Sequence, residues 1–304
     1  MANLYAHAES NVRKTWFYLT GFFLLVVAAG WVFSYVLESY AMLIFAVILA
    51  IAMSVGSYWF SDKVVVAIAG AKHIRKEDHP ELYRLVENLC ITAGLPLPKM
   101  YIIHDPQPNA FATGRDPKHA VVAVTTGILE RLDRSELEGV LAHELSHIGN
   151  RDMLISTIAV VLVGVVALLA NFFFRAVFWG GFGNDRDNDR GDARLKLILF
   201  AVAIVFAILA PIAANLMKLA ISRKRELLAD ASGALLTRYP EGLARALEKI
   251  SADPHQLRSA NDATAHLYLV NPFRGKERVS WLHKLFMTHP PVEERIKALR
   301  GLQM

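Results

Sequence analysis

The chain has 304 residues, a formal net charge of +5 and an apolar share of 54%. That share is high for a soluble domain of this length, and the one cysteine, Cys90, excludes an intrachain disulfide. No basic, aromatic-interleaved patch is present, which argues against nucleic acid as a partner.

Taken in chain order, the apolar residues collect in four windows free of Asp, Glu, Lys, Arg and His. These are Trp16–Leu37, Ala41–Phe60, Met153–Phe174 and Leu197–Met217. A bilayer core about 30 Å thick needs roughly 20 helical residues, and each window meets that length. The first window is longer than the roughly 7–15 residues of a signal-peptide core, and it reads as a retained anchor. Windows one and two therefore form an N-terminal transmembrane hairpin within residues 1–60. Arg13 and Lys14 precede it and Lys63 follows it, while the link Glu38–Tyr40 carries no Lys or Arg. Basic flanks favour the cytoplasmic side.

A first soluble block covers residues 61–152. Its opening apolar stretch, Val64–Ala71, gives no clear assignment. A helix follows, with Asp78 and Glu81 at capping-box spacing and Pro80 in the first turn. Its apolar face is Leu82, Leu85, Leu89 and Cys90, and it stops near Gly94. Met100–His104 reads as a strand. Asn109–Gly114 and His119–Gly127 read as two more, joined by a turn at Arg115–Lys118. Asp133 and Glu136 then open a helix whose apolar stripe is Leu137, Val140, Leu141, Leu145 and Ile148.

That helix carries His143, Glu144 and His147. Two histidines four residues apart lie on one helical face and can reach one ion. Glu144 sits about 100° round the helix from His143, beside the ion and offset from it, where a general base for metal-bound water belongs. The plain alternative is a surface helix with two solvated histidines. A catalytic zinc also needs a third protein ligand, and with one cysteine available it must come from His or a carboxylate.

The third and fourth windows form a second hairpin within residues 153–217, and Lys218, Arg223, Lys224 and Arg225 follow it. The link between them holds Arg175, Arg186, Arg190, Arg194 and Lys196, which runs against the charge bias elsewhere. The last block, residues 218–304, opens with a helix bearing Glu226 and Asp230 four apart. Glu226 can be the third ligand, and Asp230 can accept the spare ring N–H of a ligating histidine; an exposed acidic pair beside Arg223 and Arg225 is the alternative. The third window starts six residues after His147, and Glu226 lies nine residues after Met217. A hairpin returns the chain to the side it left, so both motifs lie within about 10–15 Å of one membrane surface. A helix near Pro240–Ala252, a polar and weakly patterned stretch to about Ser280, and a last helix from Pro290–Pro291 complete the chain.

"HELSHIGNRD", "ELLAD" and "THPPVEERI" stand in this order and resemble the HtpX-type membrane zinc metalloproteases, relatives of the CAAX prenyl proteases. The resemblance implies one zinc ion per chain, bound by His143, His147 and Glu226, with Glu144 as base. It implies endoproteolysis of misfolded or membrane proteins in envelope quality control. "NAFATG" resembles that family's active-site edge strand, where a substrate backbone pairs as an added strand on Asn109, Ala110, Phe111 and Ala112. His289 precedes the proline-initiated last helix, with Arg295 a turn and a half further on. A donor there can stabilise an oxyanion; a helix start with a histidine cap and a surface arginine pair is the alternative. Asn150, Arg151 and Asp152 read as supporting or helix-terminating residues, not ligands.

The expected fold is thus a mainly α membrane protein of the α+β class: two transmembrane hairpins plus a zincin-like catalytic domain with a small β-sheet. It is expected in the cell inner membrane, multi-pass, in contact with lipid, with both termini and the catalytic blocks cytoplasmic. A site-2-type intramembrane protease is disfavoured, because no window holds an acid and the motif helix is rich in charge. Four spans look too few for the enclosed chamber of a prenyl-protein protease. A non-catalytic zinc-dependent scaffold or chaperone would need the ligands but not Glu144.

Overall fold

The computed structural model describes residues 2–36, 39–158, 223–255, 257–258, 264, 267–270 and 290–302. The link Arg175–Lys196, the fourth window, His289 and most of the third window lie outside these residues. Helix α1 spans Ala2–Val36 and α2 spans Tyr40–Ile68, packed against each other as a hairpin. Among the described residues, one helix segment, Leu43–Ile68, is long and apolar enough to cross a membrane, and only 17% of its most apolar window is buried. Trp31, Tyr35, Ile44, Phe45 and Ile48 are likewise exposed, an arrangement that suits lipid and not water.

Helix α2 does not stop at residue 60. Nothing in "SDKVVVAI" breaks it, and it ends only where Ala69 caps it and Gly70 takes a left-handed φ of 63°. Val65 and Ala69 at its end are fully buried against Ile103, Phe111, Ala123 and Tyr268. The expected boundary at residues 60 and 61 therefore falls inside one continuous helix, whose last turns belong to the core of the soluble part. Arg115, on the β3–β4 connection described next, strengthens this joint: its guanidinium lies 4.5 Å over the Trp59 ring and donates to the Trp59 carbonyl at 3.3 Å.

The sheet has four strands: β1 (Lys72–His73), β2 (Lys99–Ile103), β3 (Ala110–Thr113) and β4 (Val121–Thr125), in the order β1-β2-β4-β3. Strand β2 runs parallel to β4, with Tyr101 opposite Ala123; β3 runs antiparallel to β4, with Phe111 opposite Ala123. Helix α3 (Pro80–Ala93) packs Leu82, Leu85, Val86 and Leu89 into the core. Its expected capping box does not form. Pro80 occupies the first helical turn and makes His79 the N-cap, so Asp78 instead accepts the Arg75 N–H at 2.7 Å. A short helix, α4 (Thr126–Arg131), follows β4 directly.

Helix α5 (Arg134–Gly149) does form its capping box: Asp133 accepts the Glu136 N–H, and Glu136 reaches back to the Asp133 N–H at 2.9 Å. It is the central helix. On one side it meets β3 and α3; on the other it meets α6 (Arg223–Thr237) and α7 (Pro240–Ala252). The last helix, α8 (Val292–Arg300), packs on α6 and α7. Gly233 makes the α5–α6 contact possible. A Cβ there would lie 2.9 Å from the His143 backbone nitrogen and 3.1 Å from its Cα, closer than a methyl group can sit.

Candidate active site

His143 is 1% exposed and His147 faces the same way one turn on. Their Nε2 atoms are 3.2 Å apart. Glu226 comes from α6 to meet them: Oε2 is 3.8 Å from His143 Nε2, and Oε1 is 3.6 Å from His147 Nε2. One donor atom from each residue fits within a span of 4.8 Å. Glu226, Asp230 and Gly233 lie on one face of α6, so the close approach that Gly233 permits also delivers both carboxylates.

The other nitrogen of each ring faces a carboxylate. His143 Nδ1 is 2.9 Å from Asp230 Oδ1, and His147 Nδ1 is 3.2 Å from Asp152 Oδ2. An N–H donated from each Nδ1 leaves an Nε2 lone pair on each ring. Two lone pairs then point at each other across 3.2 Å, with a carboxylate beside them, and such a cluster requires positive charge at its centre. Burial works against a charged His147, but the hydrogen bond to Asp152 and the charges of Glu226, Asp152 and Glu144 outweigh it and push its pKa up to about 9. The donor set of two imidazoles and one carboxylate suits zinc.

Behind Asp230 stands Arg295 from α8. Its Nε donates to Asp230 Oδ2 at 2.8 Å and its Nη2 to Oδ1 at 2.7 Å, a two-pronged pair. A third donation runs from Nη1 to the Leu269 carbonyl at 3.0 Å. Arg295 is 1% exposed. It is thus not a surface pair, and its Nη1 also lies 3.8 Å from Glu226 Oε2. Burial alone would raise Asp230, but the Arg295 charge and hydrogen bonds, with His143, hold it down at about 2. Glu144 is 2% exposed. Burial pushes its pKa up, partly opposed by His143 and His147.

At the end of α5, Asn150 is the C-cap and Arg151 takes a positive φ of 55°. The chain turns there and is helical again over residues 152–158. This turn brings Asp152 beneath His147, on the Nδ1 side and away from the converging Nε2 atoms.

Strand β3 is an edge of the sheet and packs on α5. Asn109 pairs with Thr125 through a 3.0 Å bond, so the alternation of antiparallel pairing turns the N–H and C=O of Ala110 and Ala112 outward. The Ala110 carbonyl accepts the Leu269 N–H at 3.0 Å. The Asn109 side chain grips Val270, donating to its carbonyl at 2.9 Å and accepting its N–H at 3.4 Å. Phe111 is fully buried, edge-on to Tyr268 at 5.3 Å. At the other end of the strand, Thr113 Oγ1 lies 2.9 Å from Thr157 Oγ1. Of the four residues expected to meet substrate, Asn109, Ala110 and Phe111 are therefore engaged by the chain itself, and Ala112 lies between the two fastenings. The sequence read the region around Leu269 as weakly patterned and offered no sign of this cover.

The family model described as Peptidase family M48 matches residues 76–303. The chain is similar to a protein named Protease HtpX homolog from Thermoanaerobacter pseudethanolicus, 44% identical over 99% of this chain and 98% of that one. It is similar to proteins of the same name from Syntrophobacter fumaroxidans (48% identical, 90% and 93% covered) and Pyrococcus furiosus (47%, 94% and 93%). A crystal structure of S. mikatae Ste24p is 19% identical at a TM-score of 0.48, over 98% of this chain and 67% of that one.

Proposed function

Because this chain belongs to peptidase family M48, a family of metalloproteases, we propose that His143, His147 and Glu226 hold one zinc ion and that Glu144 is the general base. The protein is a membrane metalloendopeptidase; the residue roles are our reading. One observation carries it: two imidazole Nε2 atoms and one carboxylate converge, while each Nδ1 is fixed by its own buried acid.

Zinc bound there supplies a Lewis acid that polarises the scissile carbonyl and lowers the pKa of water. Glu144 takes a proton from the attacking water and passes it to the leaving amine. Its burial suits this task, because a carboxylate raised toward neutrality both accepts and returns a proton. Asp230 and Asp152 hold the imidazoles with Nε2 turned inward. The substrate backbone pairs at Ala112, and extends past Ala110 only by displacing Leu269 and Val270. His289 remains our proposed oxyanion donor.

The chain acts on protein substrates. We further propose misfolded or membrane proteins as those substrates, four spans, an inner-membrane location and a cytoplasmic site. The test is zinc quantification beside casein cleavage by the detergent-purified full chain. Glu226→Ala should lose stoichiometric zinc. Glu144→Gln should keep zinc and lose activity by several orders of magnitude. Full zinc in Glu226→Ala would reject the ligand set, and zinc loss in Glu144→Gln would move Glu144 into it.

A further inference from the structure

Helix α1 reaches the site from the far end of the chain. Asn11 lies on it near the N-terminus and is 4% exposed. Its Nδ2 donates to Asp152 Oδ1 at 2.8 Å and to the Asn150 carbonyl at 3.2 Å. Its Oδ1 lies 3.5 Å from Arg225 Nη1 of α6, and Arg225 is also 3.8 Å from Asp152 Oδ1. Thr15, one turn along α1 and 1% exposed, donates to the Asn11 carbonyl at 2.9 Å. Both halves of a buried amide are thus used, the nitrogen across 139 and 141 residues of sequence and the oxygen across 214.

This geometry fixes Asp152. Rotation about the Cβ–Cγ bond lets an aspartate turn either oxygen to a neighbour. Asn11 and Arg225 hold Oδ1, which leaves Oδ2 for His147 Nδ1. Asn150 and Asp152 also flank the strained Arg151, and Asn11 bonds to both, so it braces the turn that places Asp152 as well as the carboxylate itself. Removing the donor would leave a buried carboxylate oxygen short of a partner and free to rotate.

We propose that Asn11 is a positioning residue for the metal site: acting through Asp152, it sets the ring plane and tautomer of His147. The inference rests on the reading of His147 as a ligand. It makes the segment of α1 ahead of the first apolar window part of the active centre, and couples the packing of the N-terminal hairpin to metal affinity.

The test uses the full chain in detergent and measures zinc dissociation by competition with a chromogenic chelator, alongside kcat/KM. Asn11→Leu keeps the branched shape and the number of heavy atoms and removes the donor. It should weaken zinc binding about fivefold to tenfold, at or below the 10–100-fold typical of a group touching a ligand directly. In an Asp152→Ala background the same change should have no further effect, because the path through Asp152 is already cut. A merely structural role for Asn11 would weaken both backgrounds alike, and that result overturns the proposal, as does wild-type affinity in Asn11→Leu. If Asn11→Leu does not yield monodisperse protein, Asn11→Ala, which removes the donor without adding bulk or charge, replaces it with the same two expectations. Glu9→Ala, exposed on the same helix, should change nothing. His147→Ala separates the two failures: stoichiometric zinc in that variant would sink the ligand reading itself, whereas zinc loss there with no effect at Asn11 would sink only this proposal.

Discussion

The two histidines of the site are supported by the same device built from different parts of the molecule. On the His143 side, Asp230 is clamped by two donations from Arg295, and all three side chains are no more than 2% exposed. Every part there comes from α5, α6 and α8 of the soluble domain. On the His147 side, the ring is 16% exposed, the Asp152 contact is longer at 3.2 Å, and the support is an amide from α1 plus an arginine at 3.8 Å. One half is a dry, charge-paired core and the other a wetter joint with the N-terminal hairpin. The difference teaches where stability and where adjustment reside. A buried pair that loses one member leaves a stranded charge, whereas a partly exposed one can recruit water.

The largest expected effect tests the dry half. Arg295→Met should strip Asp230 of its partner and cost about 3–5 kcal/mol of stability, the usual penalty for breaking a buried ion pair by removing one member. Arg225→Met, on the other side, should cost less, because its contact with Asp152 Oδ1 is long at 3.8 Å and Asn11 holds the same oxygen at 2.8 Å. Chemical denaturation of zinc-free protein compares them, and equal costs would erase the asymmetry.

Gly233→Ala comes next and sharpens the comparison, because Gly233 abuts only the His143 side. The added methyl meets His143 backbone at 2.9 Å, and the helices must part. Such overpacking costs about 1–3 kcal/mol. Glu226 and Asp230 ride on the same helix and retreat with it, so zinc should weaken by more than the stability loss alone implies. Unchanged zinc affinity would mean that α6 absorbs the methyl by rotating. A smaller effect is expected from Asp152→Asn, which retains an acceptor for His147 Nδ1. It should weaken zinc by about tenfold, the low end for such partners, while Asp152→Ala should reach further into that range. Equal losses in the two would show that the hydrogen bond kept in Asp152→Asn adds nothing beyond the lost charge.

How much of this was legible depended on sequence distance. The spacing of His143, Glu144 and His147 is local to about one helix turn, and so is that of Glu226 and Asp230; helical geometry alone puts the two histidines on one face with Glu144 offset beside them, and the two acids on one face of their own helix. The Asp133 cap was legible for the same reason. The Asp78 cap was not, because Pro80 claims the first turn and shifts the cap to His79. Partners far apart in the chain left no periodic trace. Arg295 showed as a cation near a helix start, but its partner 65 residues away did not show. Asn11 sits in an ordinary polar stretch before an apolar window, and nothing local marks it as a neighbour of Asp152. Leu269 and Val270 bind β3 through backbone atoms, which any residue carries. Gly233 did leave a sign: a glycine inside a helix, three residues past Asp230, marks close approach.

The comparison between dry and membrane-rooted halves also has a topological consequence, and Cys90 makes it measurable. Asn11 beside Asp152 puts the N-terminal end of α1 on the same side as the site. With four spans as two hairpins, both termini then share that side and residues 175–196 face the other. Cys90 is 3% exposed among Leu82, Leu85, Leu89 and Met100. Burial, with a smaller push from Glu87, raises its thiol pKa to about 11. At pH 7.4 fewer than about one thiol in a thousand is then ionised, and only the thiolate reacts with maleimide. Because the folded value is raised, the neutral thiol favours the fold up to the unfolded pKa near 8.5, and that contribution is lost as pH climbs toward 11. The natural chain should therefore be almost silent to labelling at pH 7.4, and Asn188→Cys becomes a single-site reporter on it. In intact cells an impermeant maleimide should label Asn188→Cys at once, and a second reporter at exposed Glu9, Glu9→Cys, only after permeabilisation. The reverse order would place the site outside the cytoplasm. Labelling of both from outside would part α1 from the site and remove the ground for treating the N-terminal hairpin as the support of His147.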